Sequence, residues 1–233
     1  MKNSISLLLF IICATSGFSQ NEIDMIFPGQ FHDDEIDNEF ANHKWFGLFE
    51  LEDYYYLRKT NIQISKIYDP IADDDSLNPT GDLVQVESEG NCVLLIKGIS
   101  GLKERPVIGF GVEDNSLLPG EETTFNYNDL HYNLSAEGDP LDTATGWLNG
   151  NYRLILEETN QLNSKQLISE DSMYSETPYS IIWIGDLDGD NEIDLLIDLS
   201  NHYNVSLPVL FLSSRKTKGN LLKRSAEFSS VGC

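Results

Sequence analysis

From Trp45 onward, short runs of aromatic and β-branched residues alternate with segments rich in Gly, Pro, Asn and Asp. This pattern is typical of β-strands separated by turns. Helical periodicity is weak throughout, and only residues 160–175 are a candidate for a helical turn or two. The apolar runs are WFGLFEL (45–51), YYYLRKTNIQISKIY (54–68), LVQVES (83–88), CVLLIKGI (92–99), PVIGFGV (106–112), TTFNYNDLHYNLSA (123–136), NYRLILEE (151–158), SIIWIG (180–185), IDLLIDLS (193–200), PVLFLSS (208–214) and NLLKRSAEFSS (220–230).

The segment IDLLIDLS shows the strand pattern most clearly. Ile193, Leu195, Ile197 and Leu199 are predicted to point to one side and the residues between them to the other, the period of two of a strand. Glu52 and Asp53 are predicted to form a tight hairpin between the first two runs. The fold class predicted is mainly β, an antiparallel sandwich or barrel-like meander of roughly ten strands.

The N-terminus has the layout of a secretory signal peptide. Lys2 precedes an apolar run to Ile12, and small residues follow up to Ser19. We therefore predict a signal peptide at 1–19, an acidic and loosely structured lead-in at 20–44, and a single β-rich domain at 45–233. The protein is predicted to be secreted or periplasmic, from a Gram-negative bacterium. No segment approaches the roughly 20 apolar residues that a membrane span requires.

Charge and cysteine content narrow the possible partners. The chain has 38 acidic and 15 basic residues, a formal net charge of −23. Such a surface repels nucleic acid and anionic membranes and attracts cations, and it also favours solubility. Removal of the signal peptide leaves Cys92 and Cys233, which are a candidate disulfide pair in an oxidising compartment. The sequence equally allows a free Cys233 or a bond between two chains.

The loop between the runs SIIWIG and IDLLIDLS carries the strongest chemical signal. Calcium takes six to eight oxygen ligands, which a short loop supplies when side chains at alternate positions converge. With Asp186 as the first position, Asp188, Asp190 and Asp194 fall on carboxylate positions of the EF-hand pattern, and Glu192 falls on its backbone-carbonyl position. These five residues are the predicted ligands of Ca²⁺.

The residues between these ligands agree with the same interpretation. Gly189 and Asn191 stand where the chain must bend sharply, and both residue types tolerate a left-handed backbone. The position of the EF-hand's bidentate Glu is occupied by Ile197, and the flanks are strand-like, so the loop is predicted to join two strands. A metal-free turn is the alternative, but two carboxylates ~5 Å apart repel by about 3 kcal/mol at an effective dielectric near 20. Mg²⁺ is less favoured because it needs a stricter octahedral cage.

The segment GDLDGDNEIDLL, residues 185–196, resembles the calcium loop of FG-GAP and VCBS-type repeats, which typically has the form GDxDGDGxxDLL. Asn191 and Glu192 are the main departures from that form. The resemblance implies a Ca²⁺ site on a β-hairpin of a secreted or adhesive protein. A full propeller is not expected, because the chain carries one copy of the loop and a propeller requires several.

The remaining sequence contains none of the common catalytic motifs, and no catalytic residue is predicted. The favoured interpretation is a non-enzymatic binding or adhesion-type module whose partner is an extracellular protein or glycan. The aromatic residues Trp45, Phe46 and Tyr54 to Tyr56 would stack on sugar rings, although such residues more often fill a β core. Two alternatives stay open: a Ca²⁺-dependent extracellular hydrolase with Asp198 as base, and an anionic periplasmic inhibitor of a basic partner.

Overall fold

The computed structural model describes residues 22–112, 116–142, 144–146, 148, 150–160, 164–171 and 175–232. The predicted signal peptide at 1–19 and the terminal Cys233 lie outside these residues, so both predictions stand as made. Cys92 has no disulfide partner within the described part of the chain.

The described residues form nineteen short strands and a 3-10 helix (Asn38–Asn42), and every pairing between strands is antiparallel. The strands are β1 (Asp24–Ile26), β2 (Gly29–Phe31), β3 (Trp45–Leu51), β4 (Tyr54–Thr60), β5 (Ile62–Ile67), β6 (Gly81–Val86), β7 (Asn91–Lys97), β8 (Arg105–Val107), β9 (Gly109–Phe110), β10 (Glu122–Tyr127), β11 (Leu130–Glu137), β12 (Tyr152–Glu158), β13 (Lys165–Asp171), β14 (Ser180–Gly185), β15 (Asp194–Asp198), β16 (Val205–Ser206), β17 (Pro208–Leu212), β18 (Lys223–Glu227) and β19 (Ser230–Val231).

The strands are arranged in four main sheets and a two-stranded ribbon. Sheet I has the order β2-β6-β5, sheet II β1-β7-β3-β4-β8, sheet III β18-β17-β15-β14-β9, and sheet IV β10-β11-β12-β13; β16 and β19 form the ribbon. None of these sheets closes into a barrel or a propeller. The predicted class, mainly β with antiparallel sheets, is confirmed.

Three hydrophobic clusters lie between the four sheets in series. Trp45 and Leu95 of sheet II pack with Val84 of sheet I. Leu94 and its sheet II neighbours point the other way, into the second cluster, where they meet Trp183, Leu196 and Leu210 of sheet III. The third cluster joins sheet III to sheet IV through Ile181, Ile184, Leu195, Phe211, Leu134, Tyr152 and Leu154. Sheet III therefore has apolar side chains on both faces.

The predicted alternation along β15 is confirmed. Ile193, Leu195, Ile197 and Leu199 lie in the cluster with sheet IV, whereas Leu196 lies in the cluster with sheet II. In the neighbouring β14 a bulge at Ile182 interrupts the alternation, and it sends Ile181 and Ile184 to one side and Trp183 to the other. Since both faces of these strands are buried, the polar groups of this hairpin are concentrated in the loop at its end.

Two local expectations differ from the structure. The candidate helical segment at 160–175 contains a strand instead, because β13 pairs with β12 and obtains its backbone hydrogen bonds there. Within the acidic lead-in, β1 pairs with β7, and Met25 and Ile26 are buried. Both segments are fixed by distant partners that a local pattern does not show. No helix among the described residues is long and apolar enough to cross a membrane.

A partly buried ion pair bridges the two outer strands of sheet I. The His32 Nδ1 atom, just after β2, lies 2.6 Å from the Asp69 Oδ2 atom, just after β5. The other Asp69 oxygen accepts hydrogen bonds from the backbone amides of Ile71 and Ala72. The hydrogen bond with Asp69 raises the pKa of His32, against the effect of burial, and the same bond lowers the pKa of Asp69.

These shifts predict how stability depends on pH. The contribution of His32 is fully present below the unfolded-state pKa of about 6.5 and is lost as pH rises through its raised folded-state pKa. The contribution of Asp69 is present above about pH 3.9 and is lost as the pH falls through its lowered folded-state pKa. We expect His32→Gln to lower the melting temperature more at pH 6 than at pH 9.

His131→Gln is the matched control, because the His131 ring bonds the neutral side chain of Asn126. It removes a histidine ring without removing a contact to a carboxylate. An equal loss at pH 6 and pH 9 in His32→Gln would show that the imidazole contributes through packing and not through its charge.

Candidate metal centre

The loop of the predicted calcium site connects β14 to β15 at one end of sheet III. Gly185, the last residue of β14, pairs with Asp194, the first residue of β15. Between them, Gly189 and Asn191 have positive φ angles of 91° and 66°. The predicted sharp bends at these two residues are confirmed, and so is the prediction that the loop joins two strands.

Three of the five predicted ligands lie together in the loop. One carboxylate oxygen from each of Asp186, Asp188 and Asp194 lies within 4.8 Å of the other two. Asp194 is fully buried, Asp186 is 5% exposed, and Asp188 is half-buried. Asp190 and Glu192 are exposed and are not part of this group.

The Asp194 carboxylate connects the two ends of the loop to the neighbouring strand. Its Oδ2 atom accepts a hydrogen bond from the Leu187 amide at 2.7 Å. Its Oδ1 atom accepts from the Ser213 amide at 2.9 Å and lies 3.1 Å from the Ser213 hydroxyl. Ser213 directly follows β17, which pairs with β15. Asp194 is thereby held at the base of the loop.

The Asp186 carboxylate shapes the turn itself. Its two oxygens accept hydrogen bonds from the Gly189 amide at 2.6 Å and the Asn191 amide at 3.1 Å. Arg105 of β8 contacts the same residue, with its Nη2 atom 2.7 Å from the Asp186 carbonyl oxygen and 3.4 Å from Oδ1. This guanidinium is an ion-pair partner for the cluster and connects the loop to sheet II.

Asp188 is the member of the cluster that protein groups satisfy least. Its Oδ2 atom accepts a hydrogen bond from the Ser214 hydroxyl. Its Oδ1 atom is buried and has no hydrogen-bond partner among the described residues. A buried carboxylate oxygen without a partner is costly, which makes this atom the natural contact for a cation.

The other two predicted ligands have partners of their own. Asp190 Oδ1 accepts from the Glu192 amide at 2.8 Å, and Asp190 Oδ2 lies 3.0 Å from the Ser213 hydroxyl that also reaches Asp194. The Glu192 side chain pairs with Lys216, in the turn after β17. The Glu192 carboxylate is therefore engaged by a lysine, and the role of its carbonyl oxygen as a ligand stays a prediction.

Burial and mutual repulsion disfavour the ionised form of this cluster. Burial raises the pKa of Asp194 well above its ordinary value, and the nearby Asp188 raises it further. Burial also raises the pKa of Asp188, with Asp190 and Asp186 acting in the same direction and hydrogen bonds from the Ser214 hydroxyl and the Asp190 amide opposing them. Arg105 is a single positive charge beside three carboxylates. A divalent cation would remove the remaining repulsion.

Several residues of this site cannot be identified from the sequence of the loop. Arg105, Ser213 and Ser214 are distant from the loop along the chain, as is Asn128, whose side-chain amide donates to the Asn191 carbonyl at 2.8 Å. Ser213 and Ser214 are the two serines that end the run PVLFLSS, and the pairing of β17 with β15 brings them to the loop. The only feature of the sequence that could have indicated these two serines is their place at the end of an apolar run next to the loop-bearing hairpin.

The donor set suits a hard cation that binds oxygen. Three carboxylates lie together at the base of a turn, one with an oxygen that no described residue satisfies, and they could hold a metal ion that prefers oxygen ligands. Asp186 and Asp194 accept backbone hydrogen bonds, and a carboxylate oxygen has lone pairs for both a hydrogen bond and a metal. The second acidic segment, DPIADDDS, is different: Asp73 in it accepts from the amides of Asp69 and Thr80.

The carboxylate considered as a catalytic base in the hydrolase alternative has a local structural role. Asp198 Oδ1 accepts from the Ser200 amide at 2.9 Å and the Leu207 amide at 3.0 Å. Asp198 Oδ2 accepts from the Ser206 hydroxyl at 2.9 Å. With both oxygens occupied in this way, Asp198 holds the turn between β15 and β17.

Two of the five aromatic residues considered for sugar stacking are buried, Trp45 and Tyr55. Trp45 is fully buried in the cluster between sheets I and II, whereas Tyr54 is 65% exposed. Trp45 is thus a core residue.

No protein-family model matches this chain, and neither a curated protein nor a solved structure matches it.

The electrostatics of the cluster predict an unusual effect of Asp188→Asn. In EDTA at pH 7.5 we expect this variant to unfold at a higher temperature than the parent, since it removes one of three mutually repelling charges. Asparagine keeps an acceptor for Ser214 and adds an amide donor towards the other carboxylates. The gain should be on the order of 1 kcal/mol, or about 3 °C for a chain of this size.

The gain should shrink as the pH falls. A group whose pKa is raised on folding destabilises the folded state most above that pKa and not at all below its unfolded-state pKa, about 3.9 for Asp. Asp74→Asn is the control, because Asp74 is exposed and lies outside the cluster. A lower melting temperature of Asp188→Asn in EDTA would contradict this account of the cluster.

Proposed function

We propose that the protein binds Ca²⁺ through Asp186, Asp188 and Asp194, with Asp190 and the Glu192 carbonyl oxygen completing the set of ligands. The observation that carries this proposal is the buried Asp188 Oδ1 atom, which stands beside two further carboxylates and has no hydrogen-bond partner in the part of the chain that the structure describes. Neutral turn residues such as Asn or Ser would form the same bend without repulsion. The retention of charge at the buried positions favours a cationic ligand.

The role proposed for the ion is structural. The loop contacts sheet II through Arg105, sheet IV through Asn128, and the β17 end of sheet III through Ser213. An ion that relieves repulsion in the loop would stabilise the place where these three sheets meet. Ca²⁺ is favoured over Mg²⁺ because an irregular loop suits its flexible coordination better than an octahedral cage.

The broader function proposed is that of a secreted or periplasmic, non-enzymatic binding or adhesion-type module. The signal-peptide pattern, the acidic composition and the resemblance of residues 185–196 to FG-GAP and VCBS-type calcium loops support it. An extracellular protein or a glycan is the partner proposed. The local structural role of Asp198 favours this module over the hydrolase.

Calorimetry and thermal unfolding test the calcium proposal directly. Ca²⁺ added to EDTA-treated protein should bind saturably, with a Kd on the order of 0.1 to 1 mM as for extracellular modules. At ten times Kd the gain in stability should be about 1.4 kcal/mol, or roughly 4 °C in melting temperature. Mg²⁺ at the same concentration should give a smaller increase.

The variant Asp188→Asn separates metal binding from folding, because it is expected to be folded and yet to lack the response to Ca²⁺. Asp190→Ala should weaken the response without abolishing it. Asp74→Ala removes an exposed carboxylate elsewhere and should respond as the parent does. If the parent shows neither heat of binding nor a shift in melting temperature, or if Asp188→Asn responds fully, the loop is not a calcium site.

A further inference from the structure

A second candidate site lies away from the metal loop, in a cavity of about 580 Å³ where sheets I, II and III meet the β16–β19 ribbon. This volume is in the range of sites that hold small organic molecules. Its lining comes from distant parts of the chain, including Phe31 of β2, Glu50 of β3, Val93 of β7, Ile182 of β14 and Phe228 after β18.

Aromatic and aliphatic side chains form much of the wall. The Phe228 ring centroid lies 6.1 Å from that of Phe27 and 5.4 Å from that of Phe31, with an edge-on arrangement in the second pair. All three rings are half-buried, as are the wall residues Val93 and Ile182. Half-buried apolar side chains around a concave space offer a surface on which an apolar ligand can displace water.

Glu50 places a fixed negative charge in this cavity. The Tyr55 hydroxyl donates to Glu50 Oε1 at 2.8 Å, and the Asn91 side-chain amide lies 3.4 Å from Oε2. Burial raises the pKa of Tyr55 to about 12, and the hydrogen bond to Glu50 acts in the same direction, so the hydroxyl remains a donor at neutral pH. Burial also raises the pKa of Cys92 in the same wall to about 12, which keeps that thiol neutral.

The charge of the lining is therefore of one sign. Among the described residues that line the cavity, Glu50 is the only acidic one, and none is Lys, Arg or His. A bound anion would meet an unbalanced carboxylate, and a neutral ligand would leave that carboxylate without a counter-charge. A cation with an apolar body would pair its charge with the carboxylate and bury its body against the apolar lining.

We propose that this cavity binds a small organic amine, with its ammonium group paired to Glu50 and its apolar body packed against Phe27, Phe31 and Phe228. A charge-assisted hydrogen bond fixes the ammonium group. Aromatic faces add attraction for the cation and contact for the body. Tyr55 and Asn91 position the Glu50 carboxylate. This site is independent of the calcium proposal.

A series of three ligands of similar shape tests the proposal on the unaltered protein. Phenethylamine, 2-phenylethanol and phenylacetate differ chiefly in charge and are to be titrated in EDTA at about 0.15 M salt, which screens long-range attraction. We expect saturable binding of the amine, with a Kd on the order of 1 mM. Neither of the other two ligands should bind at ten times that concentration.

Heteronuclear NMR spectra locate the binding. Amide shifts caused by the amine should concentrate at cavity residues such as Gly111, Val93 and Ser230, and should spare the 186–194 loop. Shifts spread over exposed acidic residues, or equal binding of the alcohol or the carboxylate, would overturn the proposal. Because the titration is made without calcium, its outcome does not depend on whether the metal loop binds an ion.

Glu50→Gln and Glu89→Gln form the matched pair of variants. Both remove one negative charge, but Glu89 is exposed, in the turn before β7, and does not line the cavity. Glu50→Gln should weaken amine binding roughly tenfold or more, while Glu89→Gln leaves the affinity unchanged. An equal loss in both variants would indicate attraction to the overall charge of the chain and would overturn the proposed site.

Discussion

The buried carboxylate of Asp194 is the interaction on which the 186–194 loop depends. Asp194 is the first residue of β15, a strand with apolar side chains on both faces, and its side chain has no access to solvent. Its oxygens accept the Leu187 amide on one side and Ser213 on the other, so a single group closes the loop and joins it to β17. A neutral residue of the same shape could make some of these bonds, but it would not attract a cation. Burial holds the Asp194 side chain in one position, but it also disfavours the ionised form of the carboxyl group.

The free-energy cost of burying charged carboxylates explains why so many hydrogen-bond donors surround the cluster. Arg105 comes from sheet II to meet Asp186, hydroxyl groups from Ser213 and Ser214 reach Asp194 and Asp188, and backbone amides within the turn point at Asp186. These donors satisfy most of the carboxylate oxygens, and among the described residues none reaches Asp188 Oδ1. The three carboxylates are thus held in place by protein groups before any ligand binds. Such pre-organisation would lower the cost of ordering the site when the proposed ion binds.

Local sequence patterns predicted those features whose causes are local. The period of two in β15, the turn at Glu52 and Asp53, and the left-handed residues Gly189 and Asn191 each follow from side-chain alternation or backbone sterics. The same patterns could not predict that β13 is a strand, or that β1 belongs to sheet II, because pairing with distant strands decides both. Nor could they supply Arg105 and Ser213, which reach the loop only through the stacking and register of the sheets. The Glu50 cavity has the same origin, since its walls meet only when three sheets are assembled.

The core also sets the position of the carboxylate cluster. Trp183 is fully buried in β14, two residues before Gly185, and its ring lies so close to Gly109 and Gly185 that a Cβ atom at either glycine would come within 2.5 Å of it. Since Gly185 immediately precedes Asp186, the indole packing fixes the point at which the loop leaves the sheet. Sites carried by rigid strands hold their ligands more accurately than sites on free loops. The two glycines offer no ligand, but they leave room for the indole ring beside the residue that precedes Asp186. They therefore help to fix the position of the first carboxylate of the cluster.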